Sequence, residues 1–226
     1  MTGGTDEGPR RVGRPRADQL RPASGRPPRE ELLYAAAELF TVKGYAATTT
    51  RGVAERAGMR QATMYHYFGG KEELLAELLE STVAPSLELA RRLVRDEGRP
   101  AARRLWELCR SDVMLLCGGP YNLGALYLLP EVSGARFARF RRMRQELKDI
   151  YRELLDSTRA GTELAGDRAG LVLRNDLVFG LIEGVMLIHR SDPARPVAAF
   201  AEATADAALR IADVGRQGLP DPVGAD

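Results

Sequence analysis

The sequence lacks the features of an exported or membrane-spanning protein. Cys109 and Cys117 are its only two cysteines, too few for a disulfide framework. No apolar run reaches the roughly eighteen residues of a transmembrane helix. The polar N-terminus also has no apolar stretch of the kind that a secretory signal needs. We therefore expect a protein of the reducing cytoplasm, without a membrane partner.

Residues that carry catalysis are also scarce. His66 and His189 are the only histidines, and no cluster of metal-ligating residues accompanies either, so we predict no metal site and no cofactor. No Gly-rich phosphate loop follows a strand pattern, and no Gly-x-Ser-x-Gly elbow occurs, so no catalytic residue is predicted. The two cysteines are expected to be small buried hydrophobic residues, with a redox switch as the alternative.

Positive charge is concentrated at the N-terminus. The formal net charge is +2, but residues 1–29 carry seven arginines against three acids, which gives +4 there and −2 for the remainder. Residues 1–28 are rich in Arg, Gly and Pro, so we expect a disordered arm. Prolines keep Arg14 and Arg16 on an extended chain, which can enter a narrow DNA minor groove. An ordinary solvated tail is the alternative.

The apolar periodicity is helical along the chain, and no alternating strand pattern occurs, so the predicted fold class is all-α. Glycine and proline mark the boundaries between the helices. The helices are predicted at about 29–42, 51–57, 61–68, 71–95, 102–117, 121–129, 135–158, 167–190 and 198–214.

The segment from Thr48 to Lys71 reads TTTRGVAERAGMRQATMYHYFGGK and contains two short helices joined by a turn around Gly58. Two helices joined by such a turn form a helix-turn-helix, whose second helix can enter a DNA major groove. Of its aromatic residues, Phe68 is expected to lie in the core.

This segment resembles the DNA-binding half of the TetR family of repressors. The resemblance runs from about Glu30 to Leu79 through TTTR, ERAG, ATMYHYF and GGKEELL. It implies a three-helix head followed by a helical core that binds a ligand and forms a dimer. The expected domains are the disordered arm (1–28), the helix-turn-helix head (29–75), the ligand-binding and dimerisation domain (76–215) and a flexible tail (216–226).

The resemblance also implies which residues contact DNA. Gln61 matches a base-reading position, and glutamine can form a bidentate pair with adenine. Thr63 and His66 match phosphate contacts, and Arg60 adds a cation where relatives commonly have serine. The predicted DNA-binding set is Thr50, Arg51, Arg60, Gln61, Thr63, Tyr65, His66, Lys71, Arg14 and Arg16.

The predicted helix over 167–190 has one face with glycines four residues apart. Such a stripe lets another helix approach closely. It resembles the dimer interface of the family, a four-helix bundle with two helices from each subunit, whereas packing within one chain is the alternative. The predicted interface residues are Leu173, Leu177, Gly180, Gly184 and Leu187.

The opposite face carries two acids that can point into the subunit, where aromatic walls with a few polar groups are typical of a ligand pocket. Buried acids need a counter-charge. Either Arg141 or Arg144 supplies it, or a cationic, partly aromatic ligand does. The predicted ligand-binding residues are Trp106, Tyr121, Asn122, Phe137, Phe140, Tyr151, Asp176, Phe179 and Glu183.

These patterns favour a homodimeric transcription regulator, usually a repressor, which binds a palindromic operator and is released by a small molecule. Its expected partners are double-stranded DNA, a second copy of the chain and an unknown effector. A constitutive DNA-binding regulator without a small-molecule ligand is the alternative. An enzyme is the third class, and the missing catalytic motifs speak against it.

Overall fold

The computed structural model describes residues 25–158, 166–192 and 194–212, so Arg14, Arg16 and the predicted tail lie outside the described residues. All regular elements within these ranges are helical, as predicted. The α-helices are α1 (Pro28–Val42), α2 (Thr50–Arg56), α3 (Gln61–Tyr65), α4 (Lys71–Arg95), α5 (Ala101–Cys117), α6 (Ala138–Asp156), α7 (Arg168–Ser191) and α8 (Val197–Ile211).

The connection between α5 and α6 differs from the prediction. In place of a helix over 121–129, and of a continuous α-helix from 135, it has three short 3-10 segments, Leu123–Leu128, Pro130–Ser133 and Ala135–Phe137. Pro130 has no N–H to continue a helix and opens the second segment. A Cβ atom on Gly124 would lie 1.3 Å from Met186 Sδ, so glycine allows this connection to touch α7.

The first three helices and the start of α4 close around a small core. Gly58 has a φ of +68° in the turn between α2 and α3, a conformation that glycine adopts without strain. Thr49 caps α2 by accepting a hydrogen bond from the Gly52 N–H over 3.0 Å. The buried side chains of this core include Phe40, Val53, Met64, Phe68 and Leu74.

The long helix α4 carries the head into the core domain, where it packs against α5 and α6, and α8 packs mainly on α5. Cys109 and Cys117 are free thiols buried in this core. The expectation of small buried hydrophobic residues is therefore confirmed, and burial raises the pKa of the Cys109 thiol. None of the described helices combines the length and apolarity that crossing a membrane requires.

Candidate DNA-binding surface and core cavity

Polar side chains of α2 and α3 are joined by hydrogen bonds at the surface of the head. Gln61 Nε2 donates to Thr50 Oγ1 over 2.9 Å, and Thr50 Oγ1 lies 3.2 Å from Tyr65 Oη. Tyr65 is 51% exposed, whereas Phe68 is 1% exposed. The helix-turn-helix thus presents an amide, a hydroxyl and a phenol together, and we call Thr50, Gln61 and Tyr65 the α2–α3 cluster.

Basic residues accompany this cluster. Residues 48–71 carry four cations against the single acid Glu55, a net charge of +3. Arg51, Arg60 and His66 are exposed. Arg51 Nε donates to Glu55 Oε1 over 2.8 Å, an exposed pair that contributes little stability. This surface therefore attracts a phosphate backbone.

Four of the predicted DNA contacts, Thr50, Gln61, Thr63 and Lys71, are half-buried. Lys71 Nζ donates to the Tyr45 carbonyl over 2.9 Å and lies 4.2 Å from the centre of the Tyr45 ring. The ammonium group that was predicted to meet a phosphate is thus held against the connection between α1 and α2.

A cavity of about 650 Å³ lies between α6, α7 and the 3-10 segments. Its charged wall residues are Arg141, Arg144 and Glu183. A mainly apolar pocket with a few converging polar groups is typical of a ligand site. The large apolar side chains of its wall are Leu128, Leu129, Val132, Phe140, Met186 and Leu187.

A second cavity of about 20 Å³ shares Tyr127, Arg144 and Glu183 with the large one. Asp112 also lines this small cavity. Its Oδ2 accepts a hydrogen bond from Tyr151 Oη over 2.7 Å. Its Oδ1 is buried without a hydrogen-bond partner among the described residues.

The electrostatics of Asp112 follow from its position. Burial raises the pKa of Asp112 to about 6, although its contacts with Ser86 and Tyr151 act against this shift. Sequence reasoning missed this residue. The signal was its place in the apolar stripe of α5, which also contains Leu105, Leu108, Cys109 and Val113.

Some of the predicted ligand-binding residues lie around these cavities. Phe140 lines the large cavity, Phe179 lines the small one, and Glu183 lines both. Tyr151 reaches the small cavity through its hydrogen bond to Asp112.

Other predicted ligand-binding residues lie elsewhere. Trp106 Nε1 donates to Asp206 Oδ1 over 2.8 Å, which joins α5 to α8. Asn122 Nδ2 donates to the Met186 carbonyl over 2.9 Å and so fixes the connection against α7. Phe137 is buried but lines neither cavity. None of these three side chains lines either cavity.

The inward position predicted for Asp176 is wrong. The side chain is 49% exposed, and Oδ1 lies 2.8 Å from Lys148 Nζ. Val172, on the same face near the start of α7, is 43% exposed as well, because only the later part of this face packs into the core. Glu183 forms a bidentate salt bridge with Arg144. Both acids therefore have counter-charges on α6, and neither requires a cationic ligand.

The glycine stripe of α7 lies at the surface. Leu173, Leu177 and Leu187 are 60%, 52% and 57% exposed. A Cβ atom on Gly180 or Gly184 would meet nothing within 4 Å. The packing of the described chain therefore does not require glycine at these two positions.

Tyr121, another predicted ligand residue, lies at the junction between head and core. Its hydroxyl donates to Glu38 Oε2 over 2.8 Å, and its ring meets that of Tyr34 edge-on at 5.2 Å. Hydrogen bonds from Arg56 and from Tyr121, in that order of effect, lower the pKa of the Glu38 carboxyl. The ionised carboxylate of Glu38 on α1 thus joins α2 to the start of the connection between α5 and α6.

Known proteins share both the head and the whole fold. The profile of the tetR family of bacterial regulatory proteins matches residues 32–78. The transcriptional repressor KstR2 of Rhodococcus jostii is 45% identical over 65 residues, which cover 29% of this chain and 31% of that repressor. The matched part therefore spans about a third of that curated relative.

Solved structures extend the likeness beyond the head. AmtR of Mycobacterium smegmatis is 42% identical with a TM-score of 0.75, and the match covers 85% of this chain and 89% of that one. A TetR-family regulator of Bordetella parapertussis, 20% identical with a TM-score of 0.69 over 86% of this chain and 98% of that one, shares the fold. The profile match and the extensive identity with AmtR establish that the chain belongs to the TetR family of bacterial regulatory proteins.

Proposed function

We propose that the protein is a transcriptional repressor of the cytoplasm that binds a palindromic operator as a homodimer. A small molecule in the large cavity releases it from DNA. The observation that carries this proposal is the α2–α3 cluster of Thr50, Gln61 and Tyr65 on a surface of net positive charge. The similarity of the head to KstR2, a transcriptional repressor, supports repression over activation.

The proposed DNA contacts of the head fall into two classes, contacts with base edges and contacts with phosphates. Gln61 and Tyr65 read base edges in the major groove, since an amide and a phenol can both donate and accept hydrogen bonds. Arg51 and Arg60 contact phosphates, which position the head without reading sequence. The remaining phosphate contacts of the proposal are Thr50, Thr63, His66 and the first turn of α4 at Lys71.

The arm adds a second electrostatic contact. Arg14 and Arg16 enter the minor groove beside the operator, where a narrow A·T-rich groove has the most negative potential. The support for this contact is the charge of +4 that residues 1–29 carry.

The homodimer forms through the glycine stripe of α7 together with α8. Its support is the exposure of Leu173, Leu177 and Leu187, a row of large apolar side chains at the surface. Gly180 and Gly184 have open space that a partner helix can fill, and because Gly184 and Leu187 also line the large cavity, that cavity lies beside the proposed interface. A twofold dimer presents two recognition helices to two half-sites, which accounts for a palindromic operator.

The effector occupies the large cavity, whose size and apolar walls suit a small molecule. A constitutive regulator without an effector is the second candidate. The Arg144–Glu183 pair favours it, because these wall residues satisfy each other without a ligand.

The test is a selection of duplexes from a random pool by the purified full chain, followed by mobility-shift titration of the selected site. We expect a palindromic site and one dimer per duplex. A dimer that enriches no sequence even at low salt overturns the DNA-binding proposal. Release of the selected duplex by compounds from a metabolite library separates the effector-dependent regulator from the constitutive one.

A further inference from the structure

We propose that the two core cavities together bind an amphipathic primary amine. Its ammonium group lies in the small cavity against Asp112, and its apolar body fills the large cavity. This inference rests on the proposed function, in which the large cavity holds the effector, and it names the chemical class of that effector.

The unsatisfied oxygen of Asp112 is the first argument. The side chain is 3% exposed, and Tyr151 donates only to its Oδ2. Oδ1 is buried without a hydrogen bond among the described residues, and the Asp112 side chain lines the small cavity beside Ser86, whose contact lowers the pKa of the carboxyl less than burial raises it. A buried carboxylate oxygen without a hydrogen bond is costly. A ligand N–H donor at this point removes that cost.

The size of the small cavity is the second argument. About 20 Å³ accommodates one group of the size of a water molecule. A primary ammonium group has that size and carries three donors. A guanidinium, an aromatic cation or a trimethylated ammonium is too large, so the site selects a primary amine.

The charge around the small cavity is the third argument. Among its wall residues the charged groups are Asp112, Glu183 and Arg144, which sum to −1 when both acids are ionised. All three groups act on Tyr127. Burial raises the pKa of this phenol most and its contact with Thr82 lowers it, while Glu183 and Asp112 raise it and Arg144 lowers it by smaller amounts. A ligand with a single positive charge neutralises the cavity, whereas a carboxylate ligand adds to its negative charge.

The shared wall of the two cavities is the fourth argument. Tyr127, Arg144 and Glu183 border both cavities, so these side chains lie between them, and a ligand with its head in the small cavity and its body in the large one passes between these three side chains. The body meets a mainly apolar wall that includes Leu129, Val132 and Phe140. The ligand is therefore a chain or compact apolar body with one terminal amine.

The experiment is isothermal titration of the full chain, without DNA, with four probes of equal chain length at pH 7.5. The probes are octylamine, octanol, octanoate and trimethyloctylammonium. We expect octylamine to bind at least roughly tenfold more tightly than octanol, because a charge-assisted hydrogen bond to a buried carboxylate is a strong one. Octanoate and the trimethylated cation should bind no more tightly than octanol.

Asp112→Asn locates the ammonium site. This change should bring the affinity for octylamine to within about twofold of that for octanol, and leave octanol binding as in the wild type. Asp156→Asn, which changes an exposed acid at the end of α6, is the matched control and should keep the preference for the amine. Far-UV circular dichroism checks that each variant is folded. If a variant does not fold, the comparison of the four probes on the wild type still tests whether the protein prefers an amine.

Several results overturn the inference. Equal binding of octylamine and octanol means that the small cavity holds only water. Tightest binding of octanoate assigns the head group to Arg144, and a preference for the amine that survives Asp112→Asn places the cation elsewhere. Since no DNA is present, each of these failures leaves the operator-binding proposal standing, and a protein that prefers the amine but binds no duplex refutes only that proposal.

Discussion

The hydroxyl of Tyr121 and the carboxylate of Glu38 join the core domain to the DNA-binding head, with a donor-to-acceptor distance of 2.8 Å. Glu38 also accepts hydrogen bonds of 2.5 and 2.9 Å from Arg56 of α2. Tyr121 lies two residues before the 3-10 segment that supplies Gly124 and Tyr127 to the cavity wall. We therefore expect a shift of this wall to change the support of α1 and α2.

Removal of the Tyr121 hydroxyl should weaken this junction. We expect Tyr121→Phe to lower the free energy of unfolding by about 0.5–1.5 kcal/mol, since it removes one hydrogen bond and keeps the ring packed on Tyr34. Chemical denaturation measures the change, and Tyr67→Phe, at an exposed tyrosine, is the control. If the protein has an effector, Tyr121→Phe should also reduce effector-induced release of DNA. Identical stability and identical release in the variant contradict this role.

The α2–α3 cluster should determine operator affinity. Tyr65→Ala is expected to lower the affinity for the preferred site by about 1–3 kcal/mol and to affect a random duplex much less, because the phenol reads base edges. The folded state should be little changed, as the side chain is 51% exposed. Mobility-shift titrations on both duplexes measure the difference, and equal losses on the two duplexes make Tyr65 a phosphate contact instead.

Arg60 should act on all duplexes alike. Arg60→Gln removes an exposed cation at the start of α3, so we expect a similar loss on every sequence and a salt slope reduced by about one. Arg142→Gln, at an exposed arginine of α6, is the control and should leave the slope unchanged. A sequence-dependent loss for Arg60→Gln shows instead that this residue reads bases.

Helical periodicity predicted the first helix of the head, because its apolar stripe of Ala36, Ala37 and Phe40 is buried within one helix. Periodicity did not separate Tyr65 from Phe68, which lie three residues apart. The resemblance to the TetR family placed Tyr65 at the groove, and Phe68 is buried just beyond the end of α3. The connection after α5 was predicted less well. Its path depends on the contact between Gly124 and Met186, residues far apart in the sequence.

The candidate ligand site was predicted only in part, because it too depends on contacts between residues that are far apart in the sequence. Asp176 and Glu183 fall on one arc of α7, but periodicity does not tell where along a helix its neighbours end. Asp112 was overlooked because an acid normally lies at the surface. Its burial results from Tyr151 on α6 and other neighbours outside its own helix, which a pattern within α5 does not reveal.

The stripe on α7 should control the oligomeric state. Leu177→Glu places a charge on a side chain that is 52% exposed in the single chain, so the subunit should still fold. In a dimer the same charge is buried without a partner, which is strongly unfavourable. We expect a monomer by sedimentation analysis and weaker operator binding. Val42→Glu, at an apolar residue that is 74% exposed outside the stripe, is the control. A dimer that survives Leu177→Glu places the interface elsewhere.

The last prediction concerns pH and follows from the burial of Asp112, which raises its pKa from 3.8 to about 6 in the folded protein. A raised pKa means that the folded state holds this proton more tightly than the unfolded state does. The stabilising contribution of the proton is fully present below about pH 4 and is lost as the pH rises through about 6. As the pH rises through this window, ionisation of Asp112 lowers the free energy of unfolding by about 3 kcal/mol. This figure corresponds to a difference of roughly two units between the pKa values of the folded and unfolded states.

Asp112→Asn should remove this pH dependence, because asparagine keeps the shape of the side chain and does not ionise. We expect the variant to be more stable than the wild type at pH 7.5 and to approach it near pH 4. The difference between the two proteins isolates this group, since the surface ion pairs titrate alike in both. Urea denaturation at pH 4, 5, 6 and 7.5 measures it. A difference that stays constant across these pH values means that Asp112 does not change its ionisation on folding, and the buried unpaired carboxylate on which the amine site depends is then absent.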